Sequence, residues 1–528
     1  MITTKRTVYI EKTRATQSQS MDLRQKLGQK RDGLAKRKRS PETAHDMDLR
    51  KKLGKRSRLF EEEPTRQPAT SKDLKPSPWL NMIITDLHPP TFVEEKGFLN
   101  LLRSLGLGSE TPPNSADLHS ELVQLYDQTK ESVKRALQTA ETVSLACDFW
   151  NSGAGQYLMT VTSHFISEQW KRESFVLETT LIPEHWTSYD TINQLKKIAH
   201  TWGIEKKVQV VVTNANNLEI VANDVGWEHL SCFAKTLNSV FRQVAKSDNV
   251  KKVLEKCSKV DMLFCHNMEE MKKLRETQIE LDLPQHSLTS ANEVSWLSTL
   301  IMLERISEQQ EALDKFLLDM NKFKLLLKKD DKRVMRSLIK ALQPFREVTE
   351  GMMKDQHCSI SNIIPCVEEL KMKLKEQTEN RVAQSLVKHL SSDQFKPTTH
   401  LTMSTALDPR YKHIVLSEAG TTEEFETWLV SELNLKSEAF LLSQKKKLEE
   451  YIKAKPLPKM GNPLSFWRFN YKKLNSVAHK HLNIVATALP LDRAFNVQKS
   501  QLMSRRRSFL QPELLNMMLF LNGNCSTE

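Results

Sequence analysis

The spacing of apolar positions changes along the chain, and each change marks a predicted element. From Trp79 to about residue 138 it is helical: Phe98, Leu101, Leu102 and Leu105 share one face, and later Leu122, Leu125 and Tyr126 share another. TVSLACDFW (142–150), YLMTVTSHFI (157–166) and ESFVLETTLI (173–182) are β-branched and aromatic runs separated by short polar breaks, which predicts three successive strands. A helix is expected at about 188–201, then an apolar strand, VQVVVT, at 208–213. Three strands, a helix and a strand describe a mixed sheet with at least one crossover.

From about 233 to 455 the pattern is almost wholly helical. Leu313, Phe316, Leu317, Met320, Phe323 and Leu327 are read as one face of a single helix, packed in a core. Pro344, Pro365 and Pro397 are read as helix boundaries or starts. The segment 461–524 is apolar and aromatic, with Phe466, Trp467, Phe469 and Tyr471, and closes on LLNMMLFLNGN. That run has little polar face, which suits burial against the core or against a second subunit.

Composition narrows the class. With 39% hydrophobic and 27% charged residues, no run approaches the roughly 18 apolar residues of a membrane span. The start, MITTKRTVYIEKTR, has no apolar h-region, so no secretory signal is expected. Seven Cys occur, none spaced as CxxC, which argues against a disulfide framework or zinc ribbon and for a reducing compartment.

The formal net charge of +13 is unevenly placed. Residues 1–60 hold 18 Lys and Arg against 6 Asp and Glu, a net of +12, and leave +1 for residues 61–528. Residues 1–78 read as a disordered basic tail. Within it MDLRQKLGQKR (21–31) recurs as MDLRKKLGKRSR (47–58), read either as a short basic helix that orders on a partner or as duplicated low-complexity charge. Lys36, Arg37, Lys38 and Arg39, with Lys51, Lys52, Lys55 and Arg56, are candidates for nuclear import or phosphate contact.

Several separated motifs then resemble one family. TDLHPPTFVEEKGFLNLLRSLGLG (85–108) is similar to the segment that precedes its core, and LACDFWNS (145–152) with YLMTVTSHFI to its first strands. VVVTNANNLEIVAND (210–224) resembles its second acidic motif, and WEHLSCFAKTLNSVF (227–241) its Cys-His motif. EVSWLSTLIMLERI (293–306) resembles its Arg-Trp-Asn-Ser-Thr motif, and LTMSTALDPRYKHI (401–414) its Leu-Asp-Pro-Arg-Tyr-Lys motif. NPLSFWRFN (462–470), IVATALPLDRAFN (484–496) and RRRSFLQPELLNMMLFLNGN (505–524) resemble its C-terminal dimerisation region. The family is the hAT transposase superfamily, in its domesticated zinc-finger BED-type branch, and the resemblance spans about 79–524.

The resemblance implies an α/β fold: an RNase H-like mixed-sheet core interrupted by a large all-helical insertion, with a C-terminal helical dimerisation region and a disordered basic N-terminal tail. The expected organisation is 1–78 tail, 79–138 helical lead-in, 139–240 first part of the core, 241–455 helical insertion, and 456–528 last core helix and dimerisation region. An active member brings together three carboxylates that hold two divalent metals on a phosphodiester. Carried over residue by residue, the first falls on Asp148, the second on Asn214 and the third on Asp492, where the family has Glu. An amide lacks the charge of a bridging carboxylate, and Asp is one methylene shorter than Glu. Cys232 remains of the Cys-His pair, with Lys235 at the His position, and Ser295 and Leu297 flank Trp296 where the family has Arg and Asn.

The catalytic site therefore reads as dead, with no metal and no cofactor expected. Asp148 is otherwise a strand-end carboxylate satisfied locally, Asp492 and Arg493 an ion pair at a helix start, and Cys232 a buried small hydrophobe. Residues 1–140 contain no Cys, so the zinc ligands of a BED finger have no counterpart there and base-specific DNA contact is not expected. Phe466, Trp467, Leu515, Met518, Leu519 and Leu521 are assigned to a dimer interface. The expected protein is a non-enzymatic nuclear factor associated with chromatin or DNA. Its expected partners are a second copy, nucleic acid held mainly non-specifically by the tail, an importin-type carrier and other nuclear proteins. An RNA-processing or protein-interaction adaptor is the alternative, and a residual metal-dependent nuclease is a third reading.

Overall fold

A computed structural model describes residues 76–106, 112–152, 155–215, 225–265, 267–291, 295–392, 398–417, 419–433, 438–495 and 510–525. The basic tail, its duplicated element, Pro397 and the Arg505–Arg507 triplet lie outside the described residues. The described chain opens at residue 76, and its first helix, Pro78–Asp86, is capped by the Ser77 hydroxyl with Pro at its first turn.

Five strands form one sheet in the order β3-β2-β1-β4-β5. They are β1 (Val143–Asn151), β2 (Tyr157–Ile166), β3 (Arg172–Ile182), β4 (Val208–Thr213) and β5 (Glu228–Ser231). The first three form an antiparallel meander, whereas β4 lies parallel to β1 and β5 parallel to β4. The helix Ser188–Thr201 carries the chain from β3 to β4, and a capping box between Thr187 and Asp190 fixes its start. β5 was not expected: its four residues, EHLS, hold one apolar side chain, Leu230, and are at best half-buried, so they show no apolar alternation.

The alternation of side chains sends the two faces of the sheet into two cores. Leu145, Cys147, Val161, Phe165 and Leu177 pack with the helices Ser115–Thr139, Ser188–Thr201 and Pro512–Asn524. Val210 and Val212 of β4 instead join the large helical core that contains Trp296, Phe345 and the segment from Ile484 to Phe495. A third core gathers Ile166, Tyr451, Trp467 and Val477.

The helix Pro512–Asn524 seals the open edge of β3. Asn524 accepts from the Val176 N–H at 3.0 Å and donates to the Val176 carbonyl at 2.7 Å, while Asn516 accepts from the Thr179 N–H at 2.7 Å. An edge strand needs such cover for its free backbone groups. The approach requires glycine at 523, because a Cβ there would lie 2.5 Å from a Val176 methyl carbon.

Two helical expectations fail for local reasons. The helix Gln310–Asp319 stops short of Met320, Asn321 adopts positive φ, and Phe323 is exposed in a separate 3₁₀ turn. Pro344 does not end a helix; it lies inside Lys329–Lys354. Proline leaves the carbonyl four residues back without its N–H partner, and here the Gln377 side chain donates to that Lys340 carbonyl at 3.0 Å.

Candidate functional site

β1 and β4 are adjacent and parallel, with Cys147 opposite Thr213, so the next residues, Asp148 and Asn214, emerge side by side at the C-terminal ends of the two strands. Open α/β sheets place their functional groups at this end. Asn214 Nδ2 donates to Asp148 Oδ1 at 2.9 Å and to the Phe149 carbonyl at 3.0 Å, and its Oδ1 accepts from the Phe149 N–H at 2.8 Å. The orientation of the amide follows from these partners: the N–H of Phe149 can only donate and its carbonyl can only accept. The amide nitrogen, not the oxygen, must therefore face the carboxylate.

Asp148 is buried, and Lys235 fixes the chain just past Asn214 by donating to the Ala215 carbonyl at 2.5 Å. Burial lowers the pKa of that lysine below its ordinary value. Cys232 is buried and accepts from the Ala488 N–H at 3.3 Å, and burial pushes its thiol pKa up. These contacts draw the segment 486–488 against the end of β5. Asp492 follows on the short helix Leu491–Ala494, whose backbone is placed; the Asp492 side chain lies outside the described set.

The described pair does not fit a two-metal centre. It offers one carboxylate, and one of that carboxylate's oxygens already receives an amide N–H that would have to leave before a cation could bind. Among the described residues no group of three or more His, Cys, Asp or Glu is arranged to hold a metal.

A second constellation, built on the LDPRY residues 407–411, lay beyond sequence reasoning. Arg410 is fully buried and grips Asp408 with two parallel bonds, Nε to Oδ1 at 2.9 Å and NH2 to Oδ2 at 2.7 Å, while NH1 reaches Asp355 Oδ2 at 2.7 Å. Ser361 donates to Asp408 at 2.7 Å, and Asn362 donates to Asp355 at 2.8 Å. Burial opposes the charge of the guanidinium, but Asp408 and then Asp355 outweigh it and hold its pKa above the ordinary value. The network fastens the end of the helix Lys329–Lys354 to the turn after Thr399–Leu407. Its signal in the sequence was the Asp-Pro-Arg-Tyr run alone, because Asp355 and Asn362 lie some fifty residues upstream.

Most of the residues assigned to a dimer interface are buried within the single chain. Trp467 is buried in the chain's own core, where its indole N–H donates to the Leu407 carbonyl at 2.7 Å and its ring lies 4.8 Å from that of Tyr451. Leu515, Met518, Leu519 and Leu521 are buried beneath β3 and the helix Ser115–Thr139. Phe466 is half-buried against Trp467. A protomer core and an interface core want the same apolar residues, so composition did not separate them. Trp296 likewise packs inside, its ring 5.6 Å from that of Phe345, and its backbone N–H donates to Asn238 Oδ1 at 3.0 Å.

Comparison with known proteins places families on these same elements. Residues 146–239 match the ZBED1 RNase-like domain, and residues 447–525 match the hAT family C-terminal dimerisation region. The chain is 28% identical over 376 residues to zinc finger BED domain-containing protein 4 of Homo sapiens, covering 67% of this chain and 32% of that protein. It is 20% identical over 388 residues to zinc finger BED domain-containing protein 6 of Homo sapiens, covering 67% and 39%. It is 22% identical over 367 residues to a putative AC transposase of Zea mays, covering 63% and 44%. The chain thus spans between about a third and under half of the length of these relatives. A match to an RNase-like domain across β1–β5, a match to an hAT dimerisation region behind it and relatives that include a putative transposase make this chain similar to proteins derived from hAT transposases.

Proposed function

We propose that this protein has lost transposase chemistry and acts as a nuclear, dimeric, chromatin- or DNA-associated regulatory factor. The observation that carries the loss of chemistry is the 2.9 Å bond from the Asn214 amide to Asp148. Where two metals would need bridging negative charge, this pair supplies a neutral donor. Calorimetric titration of Mn²⁺ into the full chain tests it. No saturable heat that depends on Asp148 is expected, and micromolar binding lost in Asp148→Ala would refute the reading.

Nucleic acid is assigned to the basic tail, since the charge of residues 61–528 is nearly balanced. Each phosphate neutralised lowers log K by about 0.9 per decade of salt on duplex DNA. Replacing Lys36–Arg39 with Lys51, Lys52, Lys55 and Arg56 by alanine should therefore flatten the salt dependence strongly. An unchanged slope would remove the tail from the interface and favour an adaptor that binds protein through it.

The dimer needs apolar surface that the protomer has not spent. Within the matched dimerisation region, Phe469 is 76% exposed and Met460 is 66% exposed. Phe469→Asp should convert a dimer to a monomer in light scattering at micromolar concentration. A wild-type chain that is already monomeric there would end the claim of self-association.

A further inference from the structure

We propose that the cleft between β2, β3 and the segment Val485–Arg493 is a binding site for a small organic anion with an apolar body. The cleft holds about 850 Å³, within the range of about 300–1,000 Å³ usual for small-molecule sites. Its floor is the sheet face that also carries Asp148, but it runs away from that residue. Thr160 stands opposite Asp148, and from there the floor passes through Thr162 and His164 of β2 to Ser174 and Arg172 of β3. His164 pairs with Ser174 across the two strands, and positions two apart share a face, so these side chains form one continuous polar strip.

The middle of this strip is not used by the fold. Among the described residues, the Thr162 hydroxyl, the His164 ring and the Ser174 hydroxyl have no hydrogen-bond partner. Arg172 spends NH1 on the Cys358 carbonyl at 2.6 Å and NH2 on the Leu482 carbonyl at 2.8 Å, but its buried Nε has no partner. Of these groups only Arg172 Nε is buried without a partner, whereas Thr162, His164 and Ser174 line the open floor and are free to meet water or a ligand. The strip is therefore positioned to receive hydrogen bonds and charge from outside the chain.

Above it the lining is apolar, with Val176, Val485, Leu489, Leu491 and Leu519. Arg493 closes one end, and Arg172 and Arg493 are the charged side chains among the described lining residues. Burial and the nearby Arg172 push the His164 pKa down to about 3. The imidazole is thus a neutral hydrogen-bonding group at the centre of the floor. An apolar body between the sheet and the 485–491 segment, with an acid group toward the arginines, uses every one of these features. A nucleic-acid duplex, roughly 20 Å across with phosphates on its outside, cannot enter a space of this size.

Calorimetry on the full chain with naphthalene-2-sulfonate, and with the uncharged naphthalene-2-methanol, tests the proposal. The sulfonate should bind at least about tenfold more tightly, as expected when a charged acceptor meets buried donors. Ser174→Trp, at an exposed strand position, fills the floor and should abolish sulfonate binding. Arg493→Gln, on a half-buried short helix, should bring the sulfonate close to the alcohol. Both variants are checked for wild-type circular dichroism and melting, and if the first unfolds the second still decides. Equal affinity for the two probes, no binding of either, or sulfonate binding that survives both substitutions would overturn the assignment.

Discussion

Two polar constellations in this chain are built in opposite ways. At the ends of β1 and β4, the described site pairs Asp148 with the neutral amide of Asn214. Beneath the helical region, Asp355, Asp408 and Arg410 keep every charge, buried and fully bonded. The difference lies in what each loss costs. At the strand ends an amide in place of a carboxylate is satisfied by local hydrogen bonds, as Asn214 is with Phe149. A buried ion network cannot lose one member without stranding the others. On the proposed reading, drift has removed chemistry and kept architecture.

The comparison is broken most severely at Arg410. Arg410→Met leaves two carboxylates in a dry core and should cost about 3–5 kcal/mol of stability in urea titration. A loss below about 1 kcal/mol, the value of an exposed pair, would show that the network does not hold the helical region. Asn214→Asp sharpens the other side. It replaces two amide donations by repulsion from Asp148 and from the Phe149 carbonyl, and should destabilise by about 1–3 kcal/mol. Mn²⁺ should restore part of that loss in the variant and nothing in the wild type, as read by melting temperature.

A smaller effect separates buried from half-exposed charge. The His481 ring, 3.7 Å away, and the Lys480 ammonium at 2.6 Å hold the Glu432 carboxyl down to about 2, from an ordinary value of 4.5. A carboxyl lowered by folding stabilises above its unfolded pKa, and that contribution is lost as pH falls from about 4.5 toward 2. Glu432→Gln should remove about 1 kcal/mol or less near neutral pH. Its stability curve should approach that of the wild type in acid, and parallel curves across that range would contradict the assignment.

The sheet was legible because strands β1 to β4 are apolar runs with β-branched residues, and their bounds fall within a residue or two of the expected ones. β5 was not, because a four-residue edge strand with one apolar residue is defined by its backbone neighbours rather than its side chains. The helix through Pro344 needed Gln377 from another helix terminus to satisfy a carbonyl, a long-range fact no local reading contains. Asp148 and Asn214 were found as a pair through motif resemblance, whereas the burial of Trp467 and of Leu515 to Leu521 turns on which apolar surface the fold fills first. The Arg410 partners were invisible for the same reason as β5: their proximity is made by packing, not by spacing.

The central claim is that the scaffold of a transposase survives here without its chemistry. Incubating supercoiled plasmid with the purified full chain in Mg²⁺ and in Mn²⁺, beside Asp148→Ala, tests it most directly. The account predicts no nicking above that of the alanine variant in either metal. Metal-dependent nicking by the wild type that disappears in Asp148→Ala would contradict it.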